Sequence, residues 1–341
     1  MALQASGQIK YSEIIAEFGT PNSGGIGEYR ISENVGSLSN LPLDTGVPQS
    51  GQIKFSDFYS KKLNQIVDLY SIGNNTSRQN AKDRWNNGNV HIVGSTKTGK
   101  TQPPDTIDDR VIINVNATIS SAKGTQTHCA LRTGTWDSNT TLEIEIGTSG
   151  KLYGSGGDGG TGGSANETPG TDGQTGSSAL GIQYPCTINN LGVIQSGYGG
   201  GGGGGGTTRT TGGGKKGGAT TNGSSGGGGG GGAGLPAGSA GGVSTPLSVG
   251  GGSAGSAGEA GSLSGQATGG AGGSEAAAGG NSSPVNNYAT KADDGGTASG
   301  AASPGTGVNN GYAIITNEGS APSFSGGGTL TGRTIKSTNP T

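Results

Sequence analysis

Gly94, Gly99, Lys100 and Thr101 stand in the pattern G-x-x-x-x-G-K-[ST], inside VHIVGSTKTGKT at residues 90–101. Residues so spaced can cradle a nucleotide's phosphates. Loop amides and a helix N-terminus hold the oxygens, and the lysine reaches the terminal phosphates. That chemistry needs a strand before the loop and a helix starting at the lysine. Val90, Ile92 and Val93 supply the strand. The helix is refused, because Pro103 and Pro104 follow closely and would remove donors and clash with preceding carbonyls. Lys97 and Lys100 therefore read as exposed loop residues, and no nucleotide site is expected.

Little other chemistry is available. His91 and His128 are the two histidines, and neither is spaced from carboxylates or thiols as metal ligands are, although His128 adjoins Cys129. The doublets Asp108–Asp109 and Asp293–Asp294 have no partner motif and read as solvated loop acids. No nucleophile triad or glycosidase-like carboxylate pair stands out. Cys129 and Cys186 are too few for a disulfide scaffold; burial as free thiols and pairing with each other both fit. The expectation is a protein that is not an enzyme, with no metal and no cofactor.

The elements that would have to position any site are unusual. Of 341 residues, 78 are glycine, about three times average usage. The formal charge of −2 lacks the excess that keeps charged chains disordered, and offers no basic stripe for nucleic acid. No apolar run approaches the ~18 residues that span a bilayer, and MALQASGQIKYS has no apolar signal-peptide core, so no membrane insertion is expected. Between residues 207 and 307 the large aliphatic and Phe residues are Leu235, Val243, Leu247, Val249, Leu263 and Val285. That is too few for a hydrophobic core, so backbone hydrogen bonds must order this region.

Four units are expected. Residues 1–62 contain an internal repeat, SGQIKYSEI at 6–14 and SGQIKFSDF at 50–58. Ser12 and Ser56 read as helix N-caps followed by acids that suit a helix start. Ile14, Ile15 and Phe18 read as the buried face of a first short helix that ends at Gly19. This small α+β unit would be marginal alone and should pack on something else. Residues 63–106 read as a connector, with a strand or short helix near Leu63–Ile72 and a helix over 76–85. Residues 107–196 read as a β-rich adaptor. Val111, Ile113, Val115, Ala117 and Ile119 alternate, as do Leu142, Ile144 and Ile146, which predicts half-buried strands. GKLYGSGG from Gly150 is echoed by GVIQSGYG from Gly192, and CAL at 129–131 by SAL at 178–180 and YAI at 312–314. Such recurrence predicts stacked strands in a solenoid-like or sandwich layer.

Glycine dominates from 154 to 311, and the unit at 197–341 reads as the glycine-rich distal domain, ending in short strands. Gly156, Gly159 and Gly162, then Gly170, Gly173 and Gly176, fall three apart. Three is the polyproline II period, and glycine at each third position leaves a bare edge for backbone-to-backbone packing. The expected fold is therefore mostly β and polyglycine II: an N-terminal module, a strand layer, then a bundle of parallel and antiparallel polyglycine II helices.

SGQIKYSEI and GVPQSGQIKFSDFYSKK resemble short N-terminal modules of tailed-phage virion proteins. ALGIQYPCTINNLGVIQSGYGGGGGGGG at 179–206, with NNGYAIITNEG at 309–319, resembles the glycine-rich tail-fibre adhesins and structural virion proteins of T-even-like phages, marine and cyanobacterial ones included. The resemblance implies a virion tail protein, made in the host cytoplasm, that docks to other tail or baseplate proteins. Turns of its polyglycine II sandwich would touch a host surface polysaccharide or outer-membrane receptor. It would be a homotrimer or a single copy on a trimeric fibre. Docking is assigned to Ile9, Tyr11, Ile14, Ile53, Phe55 and Phe58. Receptor contact is assigned to turn residues Arg209, Lys215 and Lys216, suited to an acidic polysaccharide, and to Asn286, Asn287 and Tyr288 in the longest turn, 281–294. The alternatives are a structural tail component without receptor contact, and an ice-binding protein. The ice-binding alternative calls for a Thr ladder, whereas the threonines read as clustered in turns.

Overall fold

The computed structural model describes residues 3–69, 76–100, 110–163, 169–203, 207–211, 220–224, 229, 231–242, 298–301, 311–317, 322–331, 333–337 and 340. The chain opens with helix α1 (Tyr11–Phe18), a 3-10 turn at Ile26–Tyr29, an antiparallel hairpin of β1 (Glu33–Val35) and β2 (Leu38–Leu41), and a second 3-10 turn at Phe55–Phe58. It then winds into a three-sided parallel solenoid. The first coil is β3 (Asn64–Asp68), β4 (Thr76–Ser77) and β5 (Gln79–Asn80). An excursion follows through α2 (Ala81–Asn86), β6 (His91–Ile92) and α3 (Ser95–Thr98). The second coil is β7 (Arg110–Val115), β8 (Thr118–Ser120) and β9 (Cys129–Arg132); the third is β10 (Thr141–Ile146), β11 (Lys151–Tyr153) and β12 (Ser178–Ile182). The fourth begins with β13 (Thr187–Asn190) and β14 (Val193–Gln195). A small antiparallel sheet of β15 (Thr207–Thr211), β16 (Thr220–Ser224) and β17 (Ala298–Ala301) intervenes before β18 (Tyr312–Thr316) completes that coil. The fifth is β19 (Ser323–Ser325), β20 (Thr329–Thr331) and β21 (Arg333–Ser337).

Each side of the solenoid is one sheet. The first side runs β19-β13-β10-β7-β3, with β6 added antiparallel; the second runs β20-β14-β11-β8-β4; the third runs β21-β18-β12-β9-β5. Parallel pairing in register stacks like on like. Val67, Ile113, Ile144, Ile188 and Phe324 form one row. Ile119, Leu152, Ile194 and Leu330 form a second, and Leu131, Leu180, Ile314 and Ile335 a third. Through the fourth coil these rows meet inside as one apolar core, whereas Phe324 and Leu330 of the fifth are exposed. The CAL, SAL and YAI echoes are therefore β9, β12 and β18, one above another on the third side. The solenoid-like layer is the arrangement found.

A second core lies outside the first side. Ile14, Phe18, Tyr29, Leu43 and Phe58 of the N-terminal unit pack with Ile66, Ile92 and Ile112. This corrects the half-buried reading of residues 111–119. All of β7 after Arg110 is buried, because its outward Ile112 is covered by the N-terminal unit. Other local expectations shift too. The helix expected over 76–85 starts only at Ala81, capped by the Asn80 side chain, which accepts from the Lys82 and Asp83 amides. Tertiary pairing takes 76–80 into strands instead. The N-caps are Lys10 and Lys54, not Ser12 and Ser56, although the acids act as expected: Glu13 and Asp57 accept from the Lys10 and Lys54 amides, both at 2.7 Å. Ile15 is half-buried, whereas Ile14 and Phe18 are buried. Cys129 and Cys186 are free and buried.

Glycine segments leave the solenoid between its second and third sides, in two coils. The first departs after β11 and returns at β12; the second departs after β14 and returns at β18. Their hydrogen bonds fall on every third residue. The amides of Gly154, Gly157 and Gly160 donate to the carbonyls of Gln195, Tyr198 and Gly201 at 2.8 Å each. Those of Gly156, Gly159 and Gly162 donate to Pro236, Ser239 and Gly242. On the same segment Thr171, Gln174 and Ser177 donate to Thr161, Asp158 and Ser155, and Gly229, Gly232 and Leu235 to Gly160, Gly157 and Gly154, running the opposite way. A β-ladder repeats every second residue; this lattice repeats every third and surrounds a segment instead of flanking it. At most of the glycines in this lattice no room is left for a Cβ. A methyl on Gly157 would collide with the Gln174 carbonyl, and one on Gly238 with the Gly157 carbonyl. At Gly242 the nearest atom would be Thr161 Cγ2 at 3.9 Å. Gly157→Ala should therefore destabilise the glycine segments by about 1–3 kcal/mol or more, while Gly242→Ala is neutral. Amide hydrogen exchange of residues 154–177 in the two variants checks this.

Candidate attachment and contact surfaces

The N-terminal unit is built on its repeat. Gly7 and Gly51 have φ of 96° and 77°, a left-handed turn that admits glycine with little cost. The chain then enters α1 or the second 3-10 turn, and Phe18, Tyr29 and Phe58 meet edge-on or tilted, with centroids 5.6–6.1 Å apart. Of the residues assigned to docking, Ile14 and Phe58 have no exposed surface and Ile9 is 8% exposed. They hold the unit together and are not on its surface. Tyr11 and Ile53 are half-buried and Phe55 is 43% exposed. Tyr11 and Phe55, the matching positions of the two repeats, form an edge-to-face pair at 6.3 Å. Tyr11 is oriented by its hydroxyl, which donates to Gly24 O at 2.9 Å.

Several bonds clamp this unit to the solenoid. Glu17, buried, accepts from the Leu63 amide at 2.9 Å. Arg110 makes a two-pronged pair with Glu143 at 2.9 and 2.8 Å, and its other branch reaches Thr45 and Asn64. His91 Nε2 lies 2.9 Å from Glu33 Oε2. The phosphate-loop pattern belongs to this clamp. Its short helix α3 precedes Lys100, and Lys100 Nζ donates to Ala16 O at 2.8 Å. Gly94 and Gly99 have φ of 77° and 72°, and a methyl on Gly94 would collide with Ile31. The glycines and lysine are used for turning and for packing against α1. Residues 101–109, with the Asp108–Asp109 doublet, lie outside the described residues.

At the opposite corner, Lys123 joins solenoid to glycine layer. Its Nζ donates to Asp158 Oδ1 at 2.6 Å and to Ser239 Oγ at 3.3 Å, and Asp158 also accepts the Ser239 amide at 2.6 Å. Burial pushes the Asp158 carboxyl upward, but the bonds from Lys123 and Ser239 outweigh it, so the group titrates below the ordinary Asp value. Nothing in the sequence marked these three residues, which lie in separate segments. Inside the first excursion, Ser155 and Ser177 are buried and share a 2.9 Å Oγ–Oγ hydrogen bond.

The receptor-contact residues assigned from sequence fall differently. TTRTT is strand β15, not a turn. Thr210 faces Thr221, and Arg209 pairs with Asn222 on one side and Ala298 on the other. The threonines thus acquire a strand setting that their run of five polar residues did not signal. Lys215 and Lys216, and Asn286, Asn287 and Tyr288, lie outside the described residues, as does the Asp293–Asp294 doublet. Among the described residues no three His, Cys, Asp or Glu side chains gather into a metal-binding group.

The Lys123–Asp158 pair has a consequence for pH. Because the folded-state pKa of Asp158 is lowered, its contribution to stability is present above the ordinary Asp value and is lost as pH falls through the lowered one. Exchange protection of residues 156–162 and 236–242 should drop over that acidic window. In Lys123→Ala the drop should be smaller and start from weaker protection at neutral pH.

No curated protein and no solved structure matched the chain. A family model did, over residues 79–335, which takes in the coils from β5 onward and the whole glycine layer. With three-quarters of its length so matched, the chain belongs to the phage tail fibre adhesin family Gp38.

Proposed function

We propose that this tail fibre adhesin, a non-enzymatic part of the virion, holds to the tail through residues 1–62 and meets the host through the far edge of its glycine layer. Family membership decides for adhesion over a passive tail component and over ice binding. The proposed division of labour is attachment by 1–62, connection by 63–106, an adaptor at 107–196 and a distal domain at 197–341. The distal layer is read as a polyglycine II bundle. The observation that carries this reading is the hydrogen-bond lattice stepping by three residues between segments of both directions. A bundle of that kind is stiff without an apolar interior, and the turns that join its segments are free to vary.

On the host side, the proposed contacts are Arg209, Lys215 and Lys216 for an acidic polysaccharide, and Asn286, Asn287 and Tyr288 for a polysaccharide or an outer-membrane protein. On the tail side, the exposed Phe55 with Tyr11 and Ile53 is the part of the assigned docking set that a partner can touch. The residue span matched by the family begins after this unit, which suits a module that adapts a shared adhesin to a particular tail. Weighing the assembled fibre tip separates one copy of this chain from three.

The test is adsorption of the full chain, fluorescently labelled, to host cells with and without surface polysaccharide. Saturable binding that is lost on replacing residues 281–294 with a Gly-Ser turn supports the distal contact; binding unchanged by that replacement overturns it. Phe55→Ala should cost about 1 kcal/mol of stability through the lost Tyr11 pair, leaving the fold intact by circular dichroism, and reduce recovery of the adhesin on purified tails. Full recovery would remove Phe55 from the docking surface.

A further inference from the structure

Where the first side of the solenoid turns into the second, a cleft remains that none of the roles above uses. Its corner is built from Asn116, Gly147–Gly150 and Leu191–Gly192, stacked coil on coil. The Gly147 amide donates to Val115 O at 2.9 Å and the Leu191 amide to Ile146 O at 2.8 Å. The turn between β1 and β2 closes the other wall, held by Ser37 Oγ donating to Asn114 Oδ1 at 2.9 Å. The space between is about 200 Å³. It exists because residue 147 has no side chain; a Cβ there would sit 2.6 Å from Asn116 Oδ1 and 3.5 Å from Ser37 Oγ.

The cleft's chemistry is one-sided. Asn116 Oδ1 is buried and accepts no hydrogen bond. Glu145 Oε2 receives one from Asn189 Nδ2 at 2.7 Å. Glu143, two residues earlier on the same outward row, is neutralised by Arg110, whereas Glu145 is held by an amide. No Lys, Arg or His is among the lining residues. Leu38 and Leu191 supply apolar walls, and Leu191 is 50% exposed. An occupant must bring hydrogen-bond donors and a C–H surface, and must not be an anion. The volume is below the ~300 Å³ at which pockets enclose drug-sized ligands, which suits one ring.

We propose that this cleft binds a single uncharged saccharide ring, with hydroxyls donating to Glu145 and, as the Asn116 side chain turns out from its buried position, to the unpaired Oδ1, and with the ring's C–H face on Leu38 and Leu191. The site is separate from the distal turns and does not rest on their role. Saturation-transfer NMR on the full chain tests it, with glucose, galactose and mannose as probes and glucuronate as the acidic one. At least one neutral hexose should give transfer, with glucuronate about tenfold weaker. Leu191→Asp, at an exposed position, and Asn116→Ala should each weaken the hexose signal about tenfold with unchanged circular dichroism. Gly147→Ala should do the same by displacing Asn116. No transfer from any neutral hexose, equal transfer from glucuronate, or a hexose signal untouched by both Leu191→Asp and Asn116→Ala overturns the proposal.

Discussion

Register between successive coils is the constraint from which the rest of this molecule follows. Lys151, Leu152 and Tyr153 pair with Val193, Ile194 and Gln195, each partner 42 residues further along. The glycine segments inherit that alignment. The amides of residues 154, 157 and 160 donate to carbonyls of 195, 198 and 201, a constant 41 residues on. The chain does not have to find a new partner when it leaves the strand; it continues beside the one it already had, while its bonding period changes from two to three. Rows of Ile, Leu and Val hold the solenoid. Beyond Tyr153 large apolar side chains give way to glycine, and the backbone carries the same alignment outward.

The N-terminal unit solves a different problem. A parallel sheet is stable when covered on both faces, yet the interior of a narrow solenoid covers only one. Ile66 and Ile112 point away from that interior, and α1, Tyr29, Leu43 and Phe58 close over them. The unit gains a core it is too small to build alone, and the first two coils gain their missing cover. Further along, the outward row of β10 is Glu143 and Glu145, and there the cover gives way to polar surface.

The sequence made the repeated architecture legible because each coil is encoded by short apolar words at fixed positions. The 42-residue echo of GKLYG in GVIQS is the strand register itself, and CAL, SAL and YAI stack as one column. What it hid was anything decided by a neighbour distant in the chain. Alternation in RVIINV promised one wet face, but the cover comes from residues 14–58. Ser12 and Ser56 looked like caps, yet each helical turn starts two residues earlier, because Glu13 and Asp57 already satisfy the Lys10 and Lys54 amides. TTRTT lacks apolar residues and so read as a turn; backbone pairing with Thr220–Ser224 makes it a strand. The Lys123–Asp158–Ser239 junction joins three segments that no spacing rule connects. The phosphate-loop match was set aside on its prolines, which lie outside the described residues; the use of its lysine, clasping α1 through Lys100 and Ala16 O, required the fold.

The direct continuation of β11 and β14 into the glycine segments has a mechanical side. A particle tethered to a cell pulls on its adhesin. Load applied at the far ends of these segments runs along their length, back toward the strands they continue. The bonds from Gly154, Gly157 and Gly160 to their neighbours then bear force together, in shear, and none can be peeled off before the next. Breaking them would require sliding a whole segment past several others at once. Thermal stability and resistance to traction are therefore distinct properties of this layer, and its lattice is oriented for the second.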